Sequence, residues 1–392
     1  MNKEILNIDV QNFIWDNLNT NIPALSLKKS PFSLISAKEL AEQVDSKRRC
    51  EHKLPTWFQT SGIYYPSKLA IEQASSEIAA RYKANLIIGD DIIDLTGGFG
   101  VDTYFFARKA KNVTHCELNK ELSEISGYNS AILGIRIDYH QTDGIEYLRA
   151  SNKNYSTLYI DPSRRVDSKK VFLLKDCEPD IISNMPLLMT HSSYLMIKTA
   201  PLLDIQSTIN ELGGLSSVHI VSIKNECKEL LFIININNFG DDPLITCALL
   251  SADQEKTYNF RLSEEKAFRI KEYSEPLTYI YEPDVALLKA GCFKLITRDF
   301  RVQKIQQHTH LYTSSEFNDS FPGRKFKLKK AWNYGTFIKE QGLKKANIIC
   351  RNFPLNPENL KKKLKISDGG DEYLLFCTDR NNELMVLNCE RI

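Results

Sequence analysis

A chain of 392 residues is longer than one hydrophobic core usually spans, so a main domain with one or two smaller ones is expected. Hydrophobic residues make up 42% and charged residues 26%, proportions that exclude a disordered chain and point to a soluble globular one. No apolar run approaches the roughly 18 residues of a membrane span, and Met1 to Gln11 lacks a signal-peptide pattern, so a cytoplasmic location is expected. Nine cysteines are scattered, odd in number and without a C-x-x-C pair, which argues against a disulfide framework or a zinc site. The net charge of +2 hides an asymmetry: Tyr281 to Ile392 holds 20 Lys+Arg against 13 Asp+Glu, leaving the preceding residues acidic. A basic tail on an acidic body suits a polyanionic partner for the tail.

Residues 1–58 read as polar and helical, with a basic cluster at Lys47, Arg48 and Arg49. From Ser67 a helix is expected, capped by that serine and carrying Ile71, Ala74, Ile78 and Tyr82 at helical spacing. Short apolar runs then alternate with amphipathic stretches. Strands are expected at Ile92-Ile93, Val113–Cys116, Arg136–His140, Thr157–Ile160, Tyr194–Ile197, Val218–Ile223 and Leu230–Ile234. Such alternation implies a parallel sheet with helices on both faces. The last two runs are joined by a short polar stretch, which only an antiparallel hairpin permits. The expected fold is therefore α/β, a Rossmann-like sheet with an antiparallel last strand, followed by small α+β C-terminal units. The expected boundaries are 1–58 helical, 59–240 main domain, 241–280 connecting extension, and two small units at 281–324 and 325–392.

The first strand ends at Asp94 and runs into Leu-Thr-Gly-Gly-Phe-Gly-Val-Asp102. Glycines let a backbone approach a ligand at the carboxyl end of such a strand, and the following helix start offers unpaired N–H groups. A dinucleotide fingerprint would need glycine where Thr103 stands, and the G-K-[ST] of a P-loop is absent. An acid before the turn, Gly-x-Gly inside it and an acid ending strand two resemble the class I methyltransferase pattern. That resemblance implies S-adenosylmethionine as cofactor. It sets Asp94 near the cofactor's amino group, Thr96, Gly97, Gly98 and Gly100 against its methionine part, Glu117 on the ribose hydroxyls and Asp143 by the adenine amino group. Thr96 stands where many members have the first glycine.

Strand four ends in Asp161-Pro162-Ser163-Arg164-Arg165. Nucleic-acid methyltransferases carry a D/N-P-P-aromatic motif here to hold an amino group, and the Asp-Pro pair matches while the second proline and the aromatic do not. Arg164 and Arg165 have the fork geometry that grips phosphate. A second arrangement is also open: ribose 2′-O-methyltransferases place a Lys-Asp-Lys-Glu set at strand ends, and Asp161, Lys198 and Glu229 fill three places, with Lys68 or Lys83 for the fourth. Over nearly its whole length the chain also resembles a bacterial methyltransferase group with a ferredoxin-like segment and a C-terminal THUMP-like domain. Ser75-Ser76-Glu77, Arg81-Tyr-Lys83, Asp94 to Gly100, Asp161 to Arg165, Asn225 to Glu229, Glu282-Pro283, Lys289-Ala-Gly291 and Arg351 to Pro354 carry that likeness.

In the tail, Arg324, Lys325, Lys327 and Lys329 alternate with apolar residues, so that 325, 327 and 329 would share one face of a strand. Such a face suits RNA phosphates, transfer or ribosomal. His308 and His310 are too few for a metal, and none is expected. The expectation is thus methyl transfer to RNA. Its rivals are a small-molecule or protein methyltransferase and a non-catalytic RNA-binding protein on the same fold.

Overall fold

Ser36 starts the first long helix with a capping box: its Oγ accepts from Glu39 N (3.1 Å), and Glu39 accepts from Ser36 N (2.9 Å). The helix, α1 (Ala37–Lys53), buries Leu40, Val44 and Cys50, and short helical segments at Ile8–Asp16 and Ile22–Ser26 precede it. In the computed structural model residues 1–164, 174–238, 240–340 and 342–392 are described. Contacts divide the chain into two units: Met1–Ser217 with Leu230–Asp241, and Val218–Glu229 with Asp242–Ile392.

The single helix expected from Ser67 is two helices, α2 (Lys68–Gln73) and α3 (Glu77–Leu86). Serines cause the break. Ser76 caps α3 by accepting from Ala79 N (3.3 Å), while Ser75 turns inward and donates to Asp102 (2.8 Å). Side chains of this kind compete with the helix ladder for backbone groups. The apolar spacing across the break misled the helical reading, because periodicity alone does not register a cap.

In the first unit the strands are β1 (Asp91–Asp94), β2 (Asn112–Cys116), β3 (Asp138–His140), β4 (Thr157–Ile160) and β5 (Tyr194–Thr199). They alternate with α4 (Val101–Ala107), α5 (Lys120–Ile132), α6 (Gly144–Ala150), α7 (Ile181–His191) and, after β5, α8 (Ile205–Leu212). Strands β1 to β5 pair in parallel, β1 between β2 and β4. Residues Leu230–Asn235 then pair antiparallel with β5. Every residue of β4 is buried, as expected for a parallel strand covered on both faces. The tips of β1, β2, β3, β4 and β5 thus carry Asp94, Glu117, Asp143, Asp161 and Lys198 toward the loops where open α/β sheets bind ligands.

The first stretch of the second unit, Val218–Glu229, is a hairpin turn: β6 (Ser217–Ile223) runs into β7 (Glu226–Asn235), whose residues from Leu230 on belong to the first unit, through Lys224 and Asn225, both with positive φ (53° and 61°). A two-residue connection of that geometry is a type I′ hairpin turn. The stretch read as a connecting extension holds two paired strands, β8 (Leu244–Leu250) and β9 (Glu255–Arg261), with β8 beside β6. The outer strand is polar: β9 buries Phe260 and exposes most of the rest. A separate seven-stranded sheet follows, built from β10 (Tyr279–Pro283), β11 (Gln303–Lys304), β12 (Tyr312–Ser314), β13 (Gly323–Asn333), β14 (Asn347–Arg351), β15 (Glu372–Thr378) and β16 (Leu384–Arg391). Its order is β11-β12-β10-β13-β16-β15-β14. Ile280, Ile305, Leu311, Phe326, Leu375 and Leu387 pack in one core beneath it. Among the described residues no helix is long and apolar enough to cross a membrane.

Candidate active site

Asp94 ends β1 and is 1% exposed. Its Oδ1 accepts from Thr96 N (3.0 Å) and its Oδ2 from Thr103 Oγ1 (2.6 Å), so the carboxyl ties the turn to the first turns of α4. Thr103 Oγ1 also lies 3.0 Å from His115 Nδ1 on β2. Burial pushes Asp94 up to about 7, and Thr103 and Thr96 N only partly offset it. Burial likewise pushes His115 down to about 3, so the ring is neutral. Asp94 therefore braces the turn from below.

The glycines of the turn answer to different neighbours. A Cβ on Gly97 would stand 2.0 Å from His115 Cε1, so the ring leaves room for glycine alone. Gly98 has φ 56°, and a Cβ there would meet nothing nearer than Thr96 O at 3.9 Å; its outer face is open. Gly98 N donates to Glu117 Oε2 (2.8 Å), and Asn119 N donates to Glu117 Oε1 (2.7 Å). A carboxylate has about four acceptor sites, so both oxygens of half-buried Glu117 keep capacity for a diol. Asp143 caps α6 through Oδ1, accepting from Ile145 N (2.8 Å) and Glu146 N (3.1 Å). Leu118, 70% exposed beside Glu117, offers an apolar surface to a flat ring. An open glycine face, a carboxylate with spare acceptors and an exposed apolar side chain fit an adenosyl group.

At the tip of β4, Asp161 N donates to Thr96 Oγ1 (2.7 Å), and its carboxylate pairs with the ammonium of Lys198 on β5. Half-buried Pro162 follows. The backbone of Arg164 pairs with Cys177, and Arg165 lies outside the described residues. Of the two lysines considered with this set, Lys68 is exposed near Glu72 (3.8 Å). Lys83 is fully buried. Its ammonium lies 3.0 Å from Asp102 Oδ1 and donates to Ser75 Oγ (2.7 Å), while Tyr159 OH donates to Asp102 Oδ2 (2.8 Å). Burial opposes ionisation of Asp102, but Lys83 and then Lys198 outweigh it and hold the carboxyl below its usual range. Sequence reasoning missed Ser75, Asp102, Thr103 and His115 as a polar floor under the site. The one signal was polar residues recurring inside otherwise apolar elements. Glu229 lies buried in the second unit.

The basic face in the second unit is largely neutralised by acidic partners, most of them distant in sequence. Arg324 pairs with Glu282, and Arg351 pairs with the same carboxylate (2.6 Å). Lys325 meets Asp319 (2.7 Å), and Lys329 meets Glu372 (2.9 Å). A bulge between Leu328 and Lys330 shifts the register of β13 against β16, so the strict alternation expected through 329 is interrupted. Lys327 is exposed and has no ion pair among the described residues. His310 stacks on Phe293 (3.9 Å) and contacts Lys304. Among the described residues no group of three or more His, Cys, Asp or Glu is placed to hold a metal.

A Rossmann-like sheet with a glycine turn, acids at successive strand tips and an antiparallel strand beside β5 defines a methyltransferase of class I. Residues 279–322 match a ferredoxin-like domain family, and residues 321–391 match a THUMP domain-like family. A crystal structure from Porphyromonas gingivalis W83, assigned as a methyltransferase, is 30% identical, covers 99% of this chain and 98% of its own, and superposes with a TM-score of 0.89. The chain belongs to that bacterial methyltransferase family, with its ferredoxin-like and THUMP-like segments. A Mycoplasma mobile protein named as an uncharacterized RNA methyltransferase is 30% identical over 160 residues, 38% of this chain. The match spans 42% of that relative's length.

Proposed function

We propose that this chain transfers a methyl group from S-adenosylmethionine to RNA, transfer or ribosomal, in the cytoplasm. One observation carries the reading: Asp161 and Lys198 pair at adjacent strand tips, and Asp161 is joined by its backbone to the glycine turn. When bound, the cofactor supplies an electrophilic methyl group on a sulfonium sulfur. Glu117 would hold the ribose hydroxyls, Asp143 the adenine amino group, and the Gly97–Gly100 turn the methionine part. A nucleotide nitrogen or hydroxyl must shed a proton as it gains a methyl group. The Asp161 carboxylate can accept a hydrogen bond from that N–H or O–H and then take the proton, while the Lys198 ammonium beside it balances the negative charge of the site.

The RNA part rests on the Mycoplasma mobile relative's name, the THUMP-like match and the remaining cations, Lys327 with the cluster Lys362, Lys363 and Lys365. Nine free cysteines support a reducing compartment. The test is incubation with methyl-labelled cofactor and total RNA from a strain lacking the gene, followed by nucleoside mass spectrometry. Label in RNA is expected, and Asp161→Ala should abolish it while cofactor affinity survives. Label only in protein or small molecules would overturn the RNA reading, and cofactor binding without any label would reduce the chain to a binding protein.

A further inference from the structure

We propose that Thr96 is a positioning residue that couples the cofactor turn to Asp161. The inference rests on the reading of Asp161 as the acid that meets the methyl acceptor. Strand β1 pairs with β4 through Asp94↔Tyr159, and the ladder makes one further bond, Leu95 N to Tyr159 O at 3.0 Å. There the chain leaves the sheet to enter the turn. Asp161 N would next look for an acceptor on β1's continuation and finds the Thr96 hydroxyl at 2.7 Å. A side chain thus extends the ladder one step past the point where the backbone departs. A glycine at this position, as many members of the class have, could not do so.

Thr96 is itself fixed on both sides. Its N–H goes to Asp94 (3.0 Å). The next residue, Gly97, is packed against the His115 ring, and Gly98 N is held by Glu117 (2.8 Å). A β-branched side chain has few χ1 choices, so the hydroxyl follows the backbone of the turn. Anything that seats or displaces the turn therefore moves the acceptor of Asp161 N, and with it the carboxylate paired with Lys198. Thr96 acts through Asp161 and does not itself touch the reacting atoms.

Three variants test this: Thr96→Val, which keeps shape and loses the acceptor, Thr96→Ser, which keeps the acceptor, and Asp161→Asn. Amide hydrogen exchange at Asp161 is read alongside kcat, KM for cofactor and cofactor affinity by calorimetry. Thr96→Val should lose protection at the Asp161 amide and lower kcat about tenfold, the upper range for one neutral hydrogen bond, with cofactor affinity within about twofold by the same scale. Thr96→Ser should restore both protection and most of kcat. An inactive Asp161→Asn together with wild-type kcat and unaltered Asp161 exchange in Thr96→Val overturns the positioning role alone. Full turnover in Asp161→Asn instead overturns the reading of Asp161 beneath it. Equal loss of kcat and cofactor affinity in both Thr96 variants also overturns the role, because a turn that merely unfolds would do the same.

Discussion

Replacing Asp94 with asparagine should remove a pH dependence from the stability of the first unit. The carboxyl ordinarily titrates at 3.8, and burial raises it to about 7 in the fold. Between those values the folded chain keeps a proton that the unfolded chain has released. Stability from this group is therefore complete below the unfolded value, declines as pH rises through the window, and levels off above about 7. Each pH unit inside the window is worth about 1.4 kcal/mol. Raising the pH by about two units below the folded value should then cost about 3 kcal/mol from Asp94 alone. Asparagine keeps an oxygen for Thr96 N and cannot titrate. The assay is urea unfolding followed at buried Trp57, with Trp15 and Trp332 replaced by phenylalanine, at several pH values for both proteins. Curves of stability against pH that run parallel in the two proteins would refute the buried, protonated carboxyl.

Three other outcomes are expected. Lys83→Met and Asp102→Asn should each cost about 3 kcal/mol or more, the scale for stranding one partner of a buried ion pair. The double variant should cost clearly less than the two together, and additive losses in urea unfolding would show that the pair is not coupled. Glu117→Ala should weaken cofactor binding by about 1.5–3 kcal/mol, the worth of hydrogen bonds to a charged group, and unchanged affinity in calorimetry would remove this residue from the site. Gly97→Ala should cost about 1–3 kcal/mol through overpacking against His115. Adding His115→Ala should recover part of that loss, and no recovery in thermal unfolding would place the strain elsewhere.

The sheet was legible because most of its strands are short apolar runs, several with an acid at the tip, and every expected run from Ile92 to Ile234 overlaps a strand. The glycine turn and Glu117 could be placed together because a βαβ unit fixes the spacing between them. The floor of the site was not legible. Ser75 meets Asp102 and His115 meets Thr103 from segments distant in the chain, and a polar residue inside an apolar element does not by itself show which partner it reaches. The tail failed for a similar reason: Lys329 and Arg324 look free along the chain, but Glu372 and Glu282 reach them from 43 and 42 positions away. Charge patterns show where cations cluster, whereas neutralisation depends on strand pairing that only the fold supplies.

The shared C-terminal sheet bears on how this protein can be dissected. The matched segments 279–322 and 321–391 look like two modules, yet β10 from the first pairs with β13 from the second, Ile280 opposite Phe326. Glu282 of the first is fully buried and meets its two arginines, Arg324 and Arg351, only in the second. A cut at residue 322 would expose half a core and strand a carboxylate in an apolar setting. Neither piece should be expressed or transplanted without the other, and lineages that exchange such appendages would have to move the pair as one.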